Sequence, residues 1–354
     1  VKLLERDAEL VRSLRAWFEG HARAFPWRTS PRDPFASLVS EVMLQQTQAA
    51  RVAERFGAFM ARFPTAAALA RAERDEVLAL WSGLGYYRRA RHLHEAARAI
   101  VERFAGVTPT DAADLRTLPG VGRYTAGAVA SIAGGRPEPI VDGNVARVLL
   151  RLEGKALRHG SPRALSWSWA RAAALASIAG ARAGAFNEGL MELGATVCTP
   201  RNPGCGRCPL GGACRARKAG RQDRIPLPKS PARRALLRLA SAVVLDVDGR
   251  VLVERRPDAG LWGGLWQAPT LDRGATRRAL SAYAGAAGLR RVDCVMHRTT
   301  HRDVVIMVYR GRWAGTSAPG RRWVSAGDLG LIALATPQRR ILESALRASP
   351  RSAR

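Results

Sequence analysis

Four of the five cysteines fall in one short stretch, spaced Cys198-x6-Cys205-x2-Cys208-x5-Cys214. Thiols crowded into a Gly- and Pro-containing segment have ligand spacing, unlike a secreted disulfide framework. Four thiolates suit a tetrahedral zinc ion or a [4Fe-4S] cluster. Structural zinc is usually held by two short paired hooks, whereas these gaps are uneven and no His lies near. The pattern fits the cubane better. Arg201, Arg207, Arg215, Arg217 and Lys218 surround the ligands and put positive charge where a phosphate could approach. The fifth thiol, Cys294, falls in an expected strand and reads as a core residue.

Two acids interrupt apolar stretches. Glu41 is expected on a helix, with Gln45 and Gln48 at i+4 and i+7. Asp142 follows the loop of Pro137 and Pro139 and precedes the apolar run Val145–Leu152, the position of a helix N-cap. Taken singly, each acid has a structural explanation, a solvated face or a cap. Between them runs Leu118-Pro119-Gly120-Val121-Gly122-Arg123-Tyr124, two glycines in a tight turn followed by a helix of small residues. Backbone N–H groups of such a turn point outward, and the helix N-terminus adds positive charge. This is a helix-hairpin-helix pattern, which grips a DNA phosphate without reading sequence. Gly120, Gly122 and Arg123 are its candidate contacts. Tyr86 and Tyr87 follow the Gly83-Leu84-Gly85 turn and are either core aromatics or a wedge for a base stack.

The elements that must position these groups divide the chain. Residues 1–220 read as all-α, with apolar positions recurring at three and four through Leu38–Phe56, Val77–Trp81 and Leu93–Val101. Residues 221–235 lie in a charged stretch with Pro226, Pro228 and Pro231 and read as a linker. Beyond it the period changes to two. Strands are expected at Leu239–Val247, Arg250–Arg255, Cys294–His297 and Val304–Arg310, and helices at 276–287 and 337–347. Residues 236–354 therefore read as a second, α+β domain.

The chain has 354 residues, enough for about two domains. Lys and Arg number 57 against 29 Asp and Glu, a formal charge of +28. Only four bases are Lys, an Arg-for-Lys bias that leaves the excess of bases over acids unexplained. A polyanion partner explains it, and nucleic acid is the first candidate. The excess is shared: +13 over residues 1–220 and +15 over 221–354. Residues 1–20 are charged throughout, and no stretch of about 18 uncharged apolar residues occurs. The expectation is a cytoplasmic, nucleoid-associated monomer with no membrane segment.

Together these motifs resemble the endonuclease III superfamily of DNA glycosylases. Within it, Ser40–Gln48 (SEVMLQQTQ), Gly83–Tyr87 (GLGYY), Val141–Val145 (VDGNV) and Leu261–Trp266 (LWGGLW) are similar to the MutY branch, over about residues 25–350. The resemblance implies removal of adenine mispaired with 8-oxoguanine, or less strongly with guanine, from double-stranded DNA. It implies that Glu41 protonates the adenine at N7, and that Asp142 stabilises the oxocarbenium-like sugar with Asn144 beside it. It implies a [4Fe-4S] cluster on Cys198, Cys205, Cys208 and Cys214. Gln46 and Tyr86 match the residues that fill the stack when the adenine is extruded. Tyr124 stands where the lyase branch carries a Lys, and no Lys occurs between Lys2 and Lys155. A monofunctional glycosylase follows.

The second domain resembles a Nudix fold. Nudix hydrolysis needs a helix bearing several Glu to hold Mg²⁺, but Gly263–Leu289 contains a single acid, Asp272. The domain is expected to sense 8-oxoguanine. In the sensing loop the family often has Phe-Ser-His, whereas this chain has Thr299-Thr300-His301. The hydroxyl and the imidazole remain and the aromatic ring is gone, so a weaker preference for 8-oxoguanine over guanine is expected. Two other readings compete. A glycosylase-lyase acting on oxidised pyrimidines is opposed by the missing Lys and the extra domain. A non-catalytic, cluster-bearing DNA-binding protein is opposed by the presence of both Glu41 and Asp142.

Overall fold

The computed structural model describes residues 2–228, 234–272, 276–315 and 319–347. Residues 229–233 of the expected linker and the last residues of the expected second domain lie outside that set. The chain forms two compact units, Val1–Arg71 with His92–Ser230 and Ala72–Arg91 with Pro231–Arg354.

The first unit is helical. Its core gathers Leu14 from the Lys2–His21 helix, Val145 and Leu149 from the Gly143–Leu152 helix, and Phe186, Leu190 and Leu193 from the Ala183–Thr196 helix. Side-chain caps set several helix starts. Asp33 accepts from Ala36 N at 2.6 Å with Pro34 at the first position, and Ser161 accepts from Ala164 N at 3.2 Å. Each such cap is worth about 1 kcal/mol. The chain after the cysteines stays docked on this unit: Ile225 is buried, and Arg151 Nε donates to its carbonyl at 2.7 Å.

One expected helix is broken. The Pro34–Leu44 helix ends before Gln45, and the next begins at Ala49. Gln45 and Gln48 are therefore the cap residues of two helices and do not continue the Glu41 face. Gln46 between them is left-handed, φ 56°. No Gly or Pro marks this break in the sequence. A tertiary bond accompanies it, from Gln45 Nε2 to Thr125 Oγ1 at 3.1 Å.

The second unit is built on a mixed seven-stranded sheet. Its strands are β1 (Ala235–Leu245), β2 (Val251–Arg255), β3 (Trp266–Gln267), β4 (Thr270–Asp272), β5 (Ala286–Arg298), β6 (Arg302–Trp313) and β7 (Arg321–Val324). The order is β3-β2-β1-β6-β5, with β4 beside β1 and β7 beside β2. Among the described strands, β1 and β6 pair in parallel and the other pairs are antiparallel. Successive side chains of a strand point to opposite faces. Leu239 and Val243 meet Ile341 and Leu342 of the Thr336–Arg347 helix on one face. Ala242 and Val244 meet Leu280 and Ala284 of the Arg277–Ala284 helix on the other. That is why β1 is nearly continuously apolar.

Three expectations for this unit are corrected. The helix expected over 276–287 stops at Ala284, where Gly285 takes a left-handed cap with φ 61°. The strand around Cys294 is much longer than four residues. Cys294 is exposed, because it points away from the face on which its neighbour Val295 is buried. A period of two separates the faces of a strand, but it does not say which face is covered.

The segment Ala72–Arg91 belongs by contact to this unit, although it is helical and far earlier in the chain. Tyr87 is 7% exposed, and its hydroxyl donates to Leu334 O at 3.0 Å. Tyr86, 45% exposed, is not a core aromatic.

Candidate active site

Glu41 sits on the Pro34–Leu44 helix among buried Leu38, Val39, Val42 and Met43 and is itself 5% exposed. Its Oε2 is buried with no hydrogen-bond partner among the described residues. Burial pushes its carboxyl up to about 7. The Tyr124 hydroxyl opposes the rise, Glu188 and Asp142 add to it, and Arg28 opposes it. A solvated helix face is thereby ruled out. Tyr124 stands on the Arg123–Ile132 helix and donates to Met191 Sδ at 3.1 Å. Burial holds its phenol well above the usual range, and the negative charge of Glu41 and Asp142 adds to that.

Asp142 caps the Gly143–Leu152 helix, as its position in the sequence suggests. Its Oδ1 accepts from Val145 N at 2.7 Å, and its Oδ2 from Asn144 Nδ2 at 3.2 Å. Burial raises its pKa, while those bonds and the Arg147 charge work against the rise. The capping and chemical readings are thus compatible: the cap bonds fix the carboxylate. Arg147 continues the chain of contacts. It donates to Asn144 Oδ1 at 2.8 Å, Gly194 O at 2.7 Å and Cys198 O at 2.8 Å. One turn on, Arg151 donates to Thr199 O at 2.6 Å and reaches Cys198 Sγ at 3.4 Å. A single helix thus joins Asp142 to the cysteine loop. All four loop thiols are free and half-buried. Burial pushes Cys208 up to about 11; the Leu210 N–H opposes the rise, and Cys198, Cys214 and Cys205 add to it. Among the described residues no three His, Cys, Asp or Glu side chains are gathered tightly enough for a metal ion.

The hairpin turn has the expected form. Gly120 is left-handed, φ 73°, and a Cβ there would lie 2.5 Å from His92 Cβ, so only glycine fits. Gly122 starts the Arg123–Ile132 helix with open space before it. Arg123 is exposed, its guanidinium 3.9 Å from the centroid of the Trp169 ring. Gln46 is exposed in its left-handed turn. Within the second unit, the Tyr86 hydroxyl is 2.5 Å from Thr300 Oγ1. Thr300 and His301 are exposed at the tip between β5 and β6. The Thr299 hydroxyl is used inside that tip, accepting from Arg302 N at 3.0 Å.

Residues 39–163 match the HhH-GPD superfamily of base excision DNA repair proteins, and residues 240–344 match the NUDIX domain. The human adenine DNA glycosylase is 35% identical over 397 residues, spanning 93% of this chain and 72% of that protein. The chain belongs to the adenine DNA glycosylase family. The Mycolicibacterium smegmatis adenine DNA glycosylase is 46% identical over 208 residues, 58% of this chain and 69% of that protein. A thermostable thymine-DNA glycosylase of known structure covers 61% of this chain and 98% of its own, with a TM-score of 0.55 and 28% identity.

This family member carries further residues around its acids that the spacing of motifs did not single out. Glu188 lies close enough to raise Glu41 and is clamped by Arg28 at 3.0 Å and Arg32 at 2.8 Å. Arg147 looks in sequence like one more helix cation. No sequence signal marks either residue. Both act from helices whose approach to Glu41 or Asp142 is a matter of packing.

Proposed function

We propose that this glycosylase hydrolyses the N-glycosidic bond of adenine opposite 8-oxoguanine or guanine in duplex DNA, without cutting the backbone. The observation that carries the reading is Glu41. Burial keeps a large share of its carboxyl protonated near neutral pH, as a general acid requires. Protonation at adenine N7 lets the base leave with the bonding electrons as a neutral molecule. The deoxyribose then gains positive charge, and Asp142, fixed by Val145 N and Asn144, stabilises it. Glu41, now ionised, takes the proton of the attacking water. With Tyr124 in place of an amine, the sugar forms no Schiff base.

The four thiols fit a [4Fe-4S] cluster. They are free, they stand on one short loop, and Arg151 already reaches Cys198 Sγ. Cys198, Cys205, Cys208 and Cys214 would hold the cluster, which would brace the loop that receives Arg147 and Arg151. Gly120, Gly122 and Arg123 would hold a phosphate. Gln46 and Tyr86 would fill the stack, and Thr300 with His301 would face the opposite base. The protein would work as an intracellular monomer on DNA.

The test is single-turnover reaction of a duplex with one adenine opposite 8-oxoguanine, split with and without alkali. Strand breaks only after alkali are expected. Breaks without alkali would mean a lyase and another nucleophile. No breaks in either arm, with cluster-loaded protein, would overturn the reading. A second expectation concerns the missing ring. Thr299→Phe should raise the ratio of rates on 8-oxoguanine and guanine mispairs about fivefold, through stacking on the opposite base. An unchanged ratio would show that the ring position takes no part in recognition.

A further inference from the structure

The Leu261–Trp266 turn carries two glycines that the site described above does not use. Gly263 and Gly264 make room for Asp258. A Cβ on Gly263 would lie 2.2 Å from the Asp258 carbonyl oxygen. A Cβ on Gly264, where φ is 75°, would lie 2.8 Å from Asp258 Oδ1 and 3.1 Å from Arg74 Nη2. Asp258 in turn receives both ends of the segment Ala72–Arg91. Arg74 donates to its two carboxylate oxygens at 3.1 and 2.5 Å. Arg91 donates to its carbonyl at 3.2 Å and to Gly263 O at 2.5 Å. Beside this clamp, Asp75 accepts from Arg255 at 2.8 Å and from Trp266 Nε1 at 3.3 Å.

The segment between those ends needs holding. Gly83, Gly85 and Tyr86 are left-handed, with φ of 95°, 72° and 48°. A non-glycine residue keeps such a backbone only where its surroundings over-determine it. Arg89 closes the turn from within, donating to Leu84 O at 3.2 Å and Gly85 O at 3.1 Å. That fixes the shape of the turn. Where the turn stands relative to Thr300 is held by the clamp at its two ends and by Tyr87, whose hydroxyl donates to Leu334 O at 3.0 Å.

We infer that Asp258, seated by Gly263 and Gly264, is a positioning residue for Tyr86 that sets discrimination at the base opposite adenine. The inference rests on the reading of Tyr86 as the residue that enters the stack. It gives the Leu261–Trp266 motif a role in aiming a side chain that lies far away in sequence.

The test uses the full-length, cluster-loaded protein. The probes are a duplex with 2′-fluoro-deoxyadenosine opposite 8-oxoguanine, which resists cleavage, and a fully paired duplex of the same sequence. Affinities are measured for the wild type, Asp258→Ala, Tyr86→Ala and the double variant. The Arg74–Asp258 pair is partly exposed, so the expected loss for Asp258→Ala on the mispair is moderate, about fivefold. Binding to the paired duplex is expected to stay unchanged. The double variant should bind no worse than Tyr86→Ala, because the clamp acts through that ring. If Asp258→Ala does not fold, Asp258→Asn, with the same volume, carries the comparison. Additive losses in the double variant, equal losses on both duplexes, or no loss for Asp258→Ala would overturn the inference. Failure of the underlying reading is separately visible, as a Tyr86→Ala variant that binds the mispair normally.

Discussion

Glu41→Gln is expected to slow adenine release by about 10³-fold while leaving mispair binding intact, since an amide cannot supply the proton. The wild-type rate should fall as pH rises through about 7, where the Glu41 carboxyl ionises. The same substitution should stabilise the fold at high pH. The folded pKa lies above the ordinary value of 4.5, so the native state binds more protons than the unfolded chain between those limits. Stability from this group is therefore full below about 4.5 and is lost as pH rises through 7. The Gln variant lacks that slope and should exceed the wild type by about 3 kcal/mol at pH 8, with the advantage shrinking toward pH 5. Urea denaturation at the two pH values measures it. An advantage of the Gln variant over the wild type that is the same at both pH values would mean that Glu41 is solvated and its role as acid is wrong.

Asp142→Asn is the second large effect, a loss of about 10²–10³-fold in the single-turnover rate. Asn still accepts from Val145 N and remains a good N-cap, so little change in stability is expected. The dissociation separates the two roles of this residue. Stability should follow the cap, which the amide keeps. Rate should follow the negative charge beside the sugar, which the amide lacks. A rate near that of the wild type would remove Asp142 from the chemistry and return it to a purely capping role. A large fall in melting temperature would make the rate loss uninterpretable for this variant. Asp142→Ser, which also caps without charge, then supplies the same test.

Much of the site was legible because local sequence carries its physics. The turn at Gly120 needs a left-handed backbone and no Cβ, and both requirements appear as glycine spacing. Asp142 announces a helix start by its place before Val145–Leu152. Glu41 stands out because a carboxyl inside an apolar helix has few ordinary uses. Other features left no trace of this kind. The break after Leu44 carries no Gly or Pro, and Gln46 is left-handed in a turn beside the Gln45–Thr125 bond. Cys294 reads as a core residue because alternation does not say which face of a strand is covered, and here it is the face of Val295. Glu188 and Arg147 matter through neighbours brought near by helix packing.

The sequence by itself determined the two kinds of unit, the hairpin, the acids and the thiol loop. Each of these follows from periodicity, charge or ligand spacing within a few tens of residues. Tertiary structure decided which groups share an environment. It buried Glu41 deeply enough to raise its carboxyl to about 7, and it joined Asp142 to the cysteine loop through Arg147. It also assigned Ala72–Arg91 to the sheet unit, so that Tyr86 meets Thr300 across more than two hundred residues of chain. The reason is physical. Desolvation and long-range ion pairing depend on what packs around a group, and that is set by the sum of weak contacts over the whole fold.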